Sequence, residues 1–131
     1  MPFIAFNKAT APVGQDDLRV NTEAILYLEA SRQDLVGQTT IHMLGQGSTV
    51  NAVTEPIGIV VRSIVEATGT LVACKRHYLA PPPEDGASTV YVSPANVSYL
   101  RPNPPASPDF WVVRFVDGSE LRVTHPLPPG L

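Results

Sequence analysis

The residues able to do chemistry are few and scattered. Three histidines, His42, His77 and His125, and one cysteine, Cys74, are the candidate metal ligands or nucleophiles. Cys74 and His77 form a C-x-x-H in a stretch that reads as extended, and in a strand positions i and i+3 point to opposite faces. The pair is a poor chelate, and Cys74, alternating with Val72, reads as a buried inert thiol. Asp16-Asp17 and Glu84-Asp85 fall in corresponding loops and read as solvated carboxylates. Gly45-Gln46-Gly47 is a G-x-G between two strands, with no helix N-terminus behind it to hold phosphate, so it reads as a hairpin turn. No nucleophile elbow, phosphate loop or HExxH occurs. The expectation is a protein with no catalytic residues, no metal and no cofactor, one that binds without transforming.

The arginines are more informative. Seven of the nine basic residues are Arg, a side chain that contacts phosphate bidentately and stacks on rings. The second half of the chain brings them together with aromatics, and the expected ligand-binding set is Arg76, Tyr78, Tyr99, Arg101, Phe110 and Arg114. Along 110–116, Phe110, Val112 and Arg114 share one strand face while Trp111, Val113 and Phe115 share the other. Arg114 beside Arg101 on a neighbouring strand would form a pocket for an anionic, aromatic ligand such as a nucleotide. The competing reading is a GC-rich source, which raises Arg content by itself and leaves Trp111 and the tyrosines in the core.

Composition bounds what surrounds these residues. The chain has 131 residues, room for one compact domain or two very small ones. Nine Lys+Arg against twelve Asp+Glu give a net charge of −3, which speaks against neutralising a duplex backbone and disfavours a nucleic-acid partner. Apolar residues at 44% and charged ones at 16% support a buried core. Fourteen prolines disfavour long helices, and a single cysteine excludes an internal disulfide. No apolar run approaches the roughly 20 residues of a membrane span, and MPFIAFNKAT is short for a signal peptide. No membrane association is expected, and the location implied is the cytoplasm of a bacterium or a phage-infected host.

Internal repetition organises the elements. LRVNTEAILYLEAS at 18–31 lines up with VYVSPANVSYLRPN at 90–103, so that Val20, Tyr27 and Leu28 match Val92, Tyr99 and Leu100 at an offset of 72. GQGSTVNAVTEP at 45–56 lines up with VDGSELRVTHP at 116–126, and FIAFNKATAP at 3–12 resembles LVACKRHYLAP at 71–81. Residues 1–68 and 69–131 therefore read as two copies of one β-meander. Strands are expected at 3–9, 18–30, 70–79 and 89–101, each copy then closing with a hairpin. The second hairpin should turn at Asp117-Gly118 as a type I′ turn. Ile57, Val60, Val61 and Ile64 have i, i+3, i+4, i+7 spacing, which predicts a short helix over 55–67, with Thr54 as its cap and Pro56 in its first turn. The second copy ends HPLPPGL and has no helix. The fold class expected is mainly β with one short helix, built of two tandem antiparallel β-meander repeats packed as a pseudo-dimer. A unit of about 65 residues buries little surface alone, so self-association into a homo-oligomer is expected.

The first copy resembles the small FlbD/SwrD-like proteins of flagellated bacteria and related phage proteins. The resemblance rests on Val20, Asn21, Ile25, Leu28, Glu29, Ile41, Leu44, Gly47, Val53, Glu55 and the stretch Ile57 to Ile64. The second copy departs from it, with Arg101 where the first has Glu29 and His125 where it has Glu55. The same strands also resemble part of LytTR DNA-binding domains, in the pattern V-x-x-x-x-I-x-Y-L-E before an apolar hairpin, without that family's basic base-reading segments. These resemblances imply three functions. The first is an oligomeric phage-type sponge for a small phosphate-bearing ligand. The second is a structural or accessory protein–protein module, and the third a LytTR-like DNA-binding regulator.

Overall fold

The computed structural model describes residues 3–7, 17–30, 38–45, 51–68, 70–77 and 89–131. Its centre is fixed by Ile25-Leu26-Tyr27-Leu28, four consecutive buried residues in β3 (Ile25–Ala30). A strand with apolar residues on both faces must be covered on both. β3 accordingly lies in the middle of a five-stranded antiparallel sheet, order β5-β4-β3-β7-β6, with β4 Thr39–Met43, β5 Asn51–Val53, β6 Val72–Lys75 and β7 Thr89–Val92. One face packs on the hairpin of β1 (Phe3–Asn7) and β2 (Asp17–Asn21) and on helix α1 (Ile57–Thr68), burying Phe6, Val20, Leu28, Ile41, Val53, Val60 and Ile64. The other packs on a three-stranded sheet of β8 (Val97–Asn103), β9 (Phe110–Phe115) and β10 (Glu120–Thr124), burying Tyr27, Val90 and Val92 against Val113, Phe115, Leu121 and Val123.

The fold is mainly β, with ten strands in three antiparallel sheets and one α-helix among the described residues. The helix starts two residues later than the 55–67 expected. Val60 and Ile64 are fully buried beneath it, Ile57 and Val61 flank them, and Ile59 and Val65 stay exposed. Pro56 supplies the first helical acceptor, its carbonyl taking the N–H groups of Ile59 and Val60 at 3.0 and 3.1 Å. Thr54 does not cap: its hydroxyl donates to Glu55 Oε1 at 3.3 Å.

The strands expected at 18–30 and 89–101, each with a break at Asn21-Thr22 or Ser93-Pro94, are divided there by 3-10 turns, η1 (Thr22–Ala24) and η2 (Pro94–Asn96). Asn21 Oδ1 accepts the Glu23 N–H at 3.0 Å and nucleates η1. Each turn moves the chain from one sheet to the next, and the two meet across the fold. Asn96 Nδ2 donates to the carbonyls of Glu23 and Ile25 at 2.8 and 2.7 Å. β3 and β8 then carry the same irregularity, a register shift between Ile25 and Tyr27 and another between Val97 and Tyr99.

The β9–β10 turn is one residue longer than expected. Gly118 N–H donates to Phe115 O at 3.0 Å and Phe115 N–H to Ser119 O at 2.9 Å, so residues 116–118 form the loop. Gly118, at φ +91°, takes the single left-handed position. A type I′ turn would have required Asp117 there as well, whereas this loop needs positive φ only at the glycine.

The inner face of the second copy's strands is covered from within the chain: β6 and β7 join β3–β4–β5 in one sheet, and β8–β10 pack on it.

Candidate nucleic-acid interface

β9 has one face in the core and one in solvent. Val113 and Phe115 point inward with Trp111 beside them, while Phe110, Val112 and Arg114 point outward. The ladder registers set their neighbours. Arg114 stands between Tyr99 of β8 and Glu120 of β10, Val112 between Arg101 and Arg122, and Phe110 between Asn103 and Thr124. The outer face is thus a grid of nine residues. Val112 at its middle is only 4% exposed. The long stems of its cross-strand neighbours Arg101 and Arg122 are the groups placed to cover it, with their guanidinium heads left toward water.

The grid carries three arginines against one carboxylate. Arg114 Nη1 donates to Glu120 Oε2 at 3.1 Å, an exposed pair worth ~0–1 kcal/mol. Arg101 and Arg122 have no carboxylate partner among the described residues. Three positive charges less one leave the face at +2 in a chain whose total is −3. Rings lie beside the cations: the Arg114 guanidinium is 6.0 Å from the Tyr99 ring centre and that of Arg122 5.8 Å from Phe110. His77 extends the face past β10, its N–H donating to the Arg122 carbonyl and its ring stacked on Phe110 at 4.5 Å.

Of the six residues expected to bind a ligand, four come together here: Tyr99, Arg101, Phe110 and Arg114. Arg76 does not. It sits where the chain passes from β6 to the edge of β10, bridging to Val123, and its Nη1 donates to Glu29 Oε2 at 2.8 Å. Tyr78 lies outside the described residues. Sequence reasoning missed Arg122 and His77. Arg122 had a signal, since it alternates with the buried Leu121 and Val123 as an outward position must. His77 had none, because only the crossing of β6 onto β10 brings it to the face.

The arrangement is a flat face, not the pocket expected between Arg101 and Arg114. A small polar hollow of about 160 Å³ lies at its edge, between His77, Glu120 and Arg122. Two larger hollows lie elsewhere, one of about 320 Å³ beside Cys74 and His125 and one of about 480 Å³ between the two 3-10 turns and the end of α1. Among the described residues no arginine lines either.

The other titratable groups have structural work. Burial would by itself raise the Glu29 carboxyl, but the His42 hydrogen bond at 3.0 Å and the Arg76 charge outweigh it and hold the group below its ordinary value. His42 also stacks on Tyr27 at 4.1 Å, and Tyr27 on Phe115 at 5.8 Å. Burial pushes the Cys74 thiol up to about 11, which keeps it protonated. His125 Nδ1 accepts from Trp111 Nε1 at 3.0 Å. The three histidines thus stand in separate places, and no group of His, Cys, Asp or Glu is arranged to hold a metal among the described residues.

The class of fold these sheets define is one already seen in a DNA-binding protein. The chain is similar to a solved structure, the LytTr DNA-binding domain of a Bacillus cereus protein described as a methyl-accepting/DNA response regulator. The TM-score is 0.54 at 10% identity, over 95% of this chain and 87% of that one. The fold likeness agrees with the LytTR resemblance of the strands, whereas nothing supports the FlbD/SwrD resemblance. No family model and no curated protein matches the chain.

These findings correct the expected partners. A nucleic-acid partner was disfavoured on net charge, with the protein itself and a small nucleotide-like ligand put in its place. A fold shared with a DNA-binding domain overturns that exclusion. The physical reason is that net charge is a sum, and the sheet sorts three arginines onto one face that carries a single carboxylate, Glu120.

Proposed function

We propose that the protein is a DNA-binding module of the regulator type and that the outer face of β8–β9–β10 is its interface. The observation that carries this is the sorting of Arg101, Arg114 and Arg122 onto one open sheet face of an acidic chain. The likeness to a LytTr DNA-binding domain supports it. Arg101 and Arg122 are the phosphate contacts, and Arg114, already paired with Glu120, is the weaker third.

Fluorescence anisotropy tests the proposal with a labelled 30-nucleotide DNA offered as a duplex and as its single strand. Binding of at least one form is expected at low salt, with log K falling against log[salt] at a slope of about −2 to −3, as two or three phosphate contacts require. The double variant Arg101→Glu/Arg122→Glu should weaken binding by ~10–100-fold while leaving the melting temperature within a few degrees. Absence of binding to both forms at 50 mM salt would overturn the proposal, as would a double variant that binds like the parent.

A further inference from the structure

The geometry of this face also selects the form of nucleic acid, and on the reading that it binds DNA we infer that its preferred ligand is single-stranded. Width comes first. The major groove is about 12 Å wide and admits a helix or a two-stranded ribbon. Three strands spaced ~4.8 Å apart span roughly 10 Å between their outer axes before any side chain is added. The long arginines on both flanking strands widen the face beyond that groove. Duplex DNA would meet it only through phosphates.

The rings come second. Tyr99 is 46% exposed on an otherwise well-packed sheet, with Arg114 beside its ring. Phe110, at the middle of the opposite edge, stacks with His77, and Arg122 lies next to it. A duplex, whose bases are already stacked, offers these rings no free base face. Unpaired bases, by contrast, offer π-faces to Tyr99 and to the His77–Phe110 pair while their phosphates run past Arg101 and Arg122. The grid distributes these roles: Arg101 and Arg122 flank the central Val112, Tyr99 takes one corner and Phe110 the middle of the opposite edge.

The experiment measures anisotropy of labelled dT20 and of a blunt 20-base-pair duplex, for the parent, Tyr99→Ala and Phe110→Leu. dT20 is expected to bind at least tenfold more tightly than the duplex. Tyr99→Ala should weaken dT20 binding about fivefold or more while leaving its salt slope unchanged, because a ring contributes no released counterion. Tyr99 is exposed, so this variant keeps its fold; Phe110→Leu, with its melting temperature checked, is the second probe. Equal or tighter duplex binding, or a Tyr99→Ala protein that binds dT20 like the parent, overturns the single-strand preference and leaves the DNA-binding proposal standing. Failure to bind either probe overturns both.

Discussion

Glu29→Gln breaks the joint where the two larger sheets meet. The Glu29 carboxylate accepts from Arg76 Nη1 at 2.8 Å and from His42 Nε2 at 3.0 Å, with the carboxylate side chain only 17% exposed and Arg76 32%. A hydrogen bond to a charged group contributes ~1.5–3 kcal/mol net, and an amide of the same shape keeps roughly one neutral bond. Partial exposure of Arg76 reduces the penalty for its lost counter-charge. The expected destabilisation is ~2 kcal/mol at pH 7, or about 6–10 °C in Tm for a chain of this size. The pH dependence has a definite sign. Glu29 is held below its ordinary value of 4.5 in the folded state, so its stabilisation is present above the unfolded-state pKa and is lost as pH falls through the folded one. The gap between parent and variant should therefore be full at pH 7, begin to close as pH falls to the unfolded-state value and shrink further as pH falls through the folded one. Urea unfolding followed by the fluorescence of Trp111, the single tryptophan, measures it at each pH. A gap independent of pH, or one below ~0.5 kcal/mol at pH 7, refutes the reasoning.

Asn96→Ala removes both bonds that tie η2 to the carbonyls of Glu23 and Ile25. Those acceptors lie beneath the crossing of the two turns, so a loss of ~2–3 kcal/mol is expected in urea unfolding, and a loss under ~0.5 kcal/mol would show that water replaces the amide. Charge exchange at two matching positions should behave unequally. Glu29→Arg places a second guanidinium against Arg76 inside the joint and should cost ~3–5 kcal/mol, while Arg101→Glu on the open face should cost under ~1 kcal/mol. Similar costs for the two would refute the assignment of one as covered and the other as open.

Element types were legible because local pattern decides them. Period-two alternation placed β9 and β10, and the i, i+3, i+4, i+7 set placed α1. What local pattern does not encode is partnership. Nothing in Val72–Lys75 or Thr89–Val92 says that these strands add to β3. The same blindness split the candidate site. Arg114 was placed by strand parity, but Arg101 and Arg76 were included on type alone, and Arg76 instead meets a half-buried carboxylate 47 residues away. The electrostatic inference failed for a related reason, since net charge discards the arrangement on which recognition depends.

We propose that residues 1–68 and 69–131 are two copies of one unit, and the ladder registers support this. Tyr27 pairs with His42 and Glu29 with Thr40, and 72 residues on Tyr99 pairs with Arg114 and Arg101 with Val112. η1 and η2 recur at the same spacing. On this reading one sheet face exists twice in the molecule with opposite fates. In the first copy it is covered by β8–β10, and its Tyr27, Glu29 and His42 are spent on stacking with Phe115 and pairing with Arg76. In the second copy no described element packs on it, and the matching residues are Tyr99, Arg101 and Arg114. A carboxylate is needed where an arginine arrives from within the chain, and on the proposed function an arginine stands where a phosphate comes from outside.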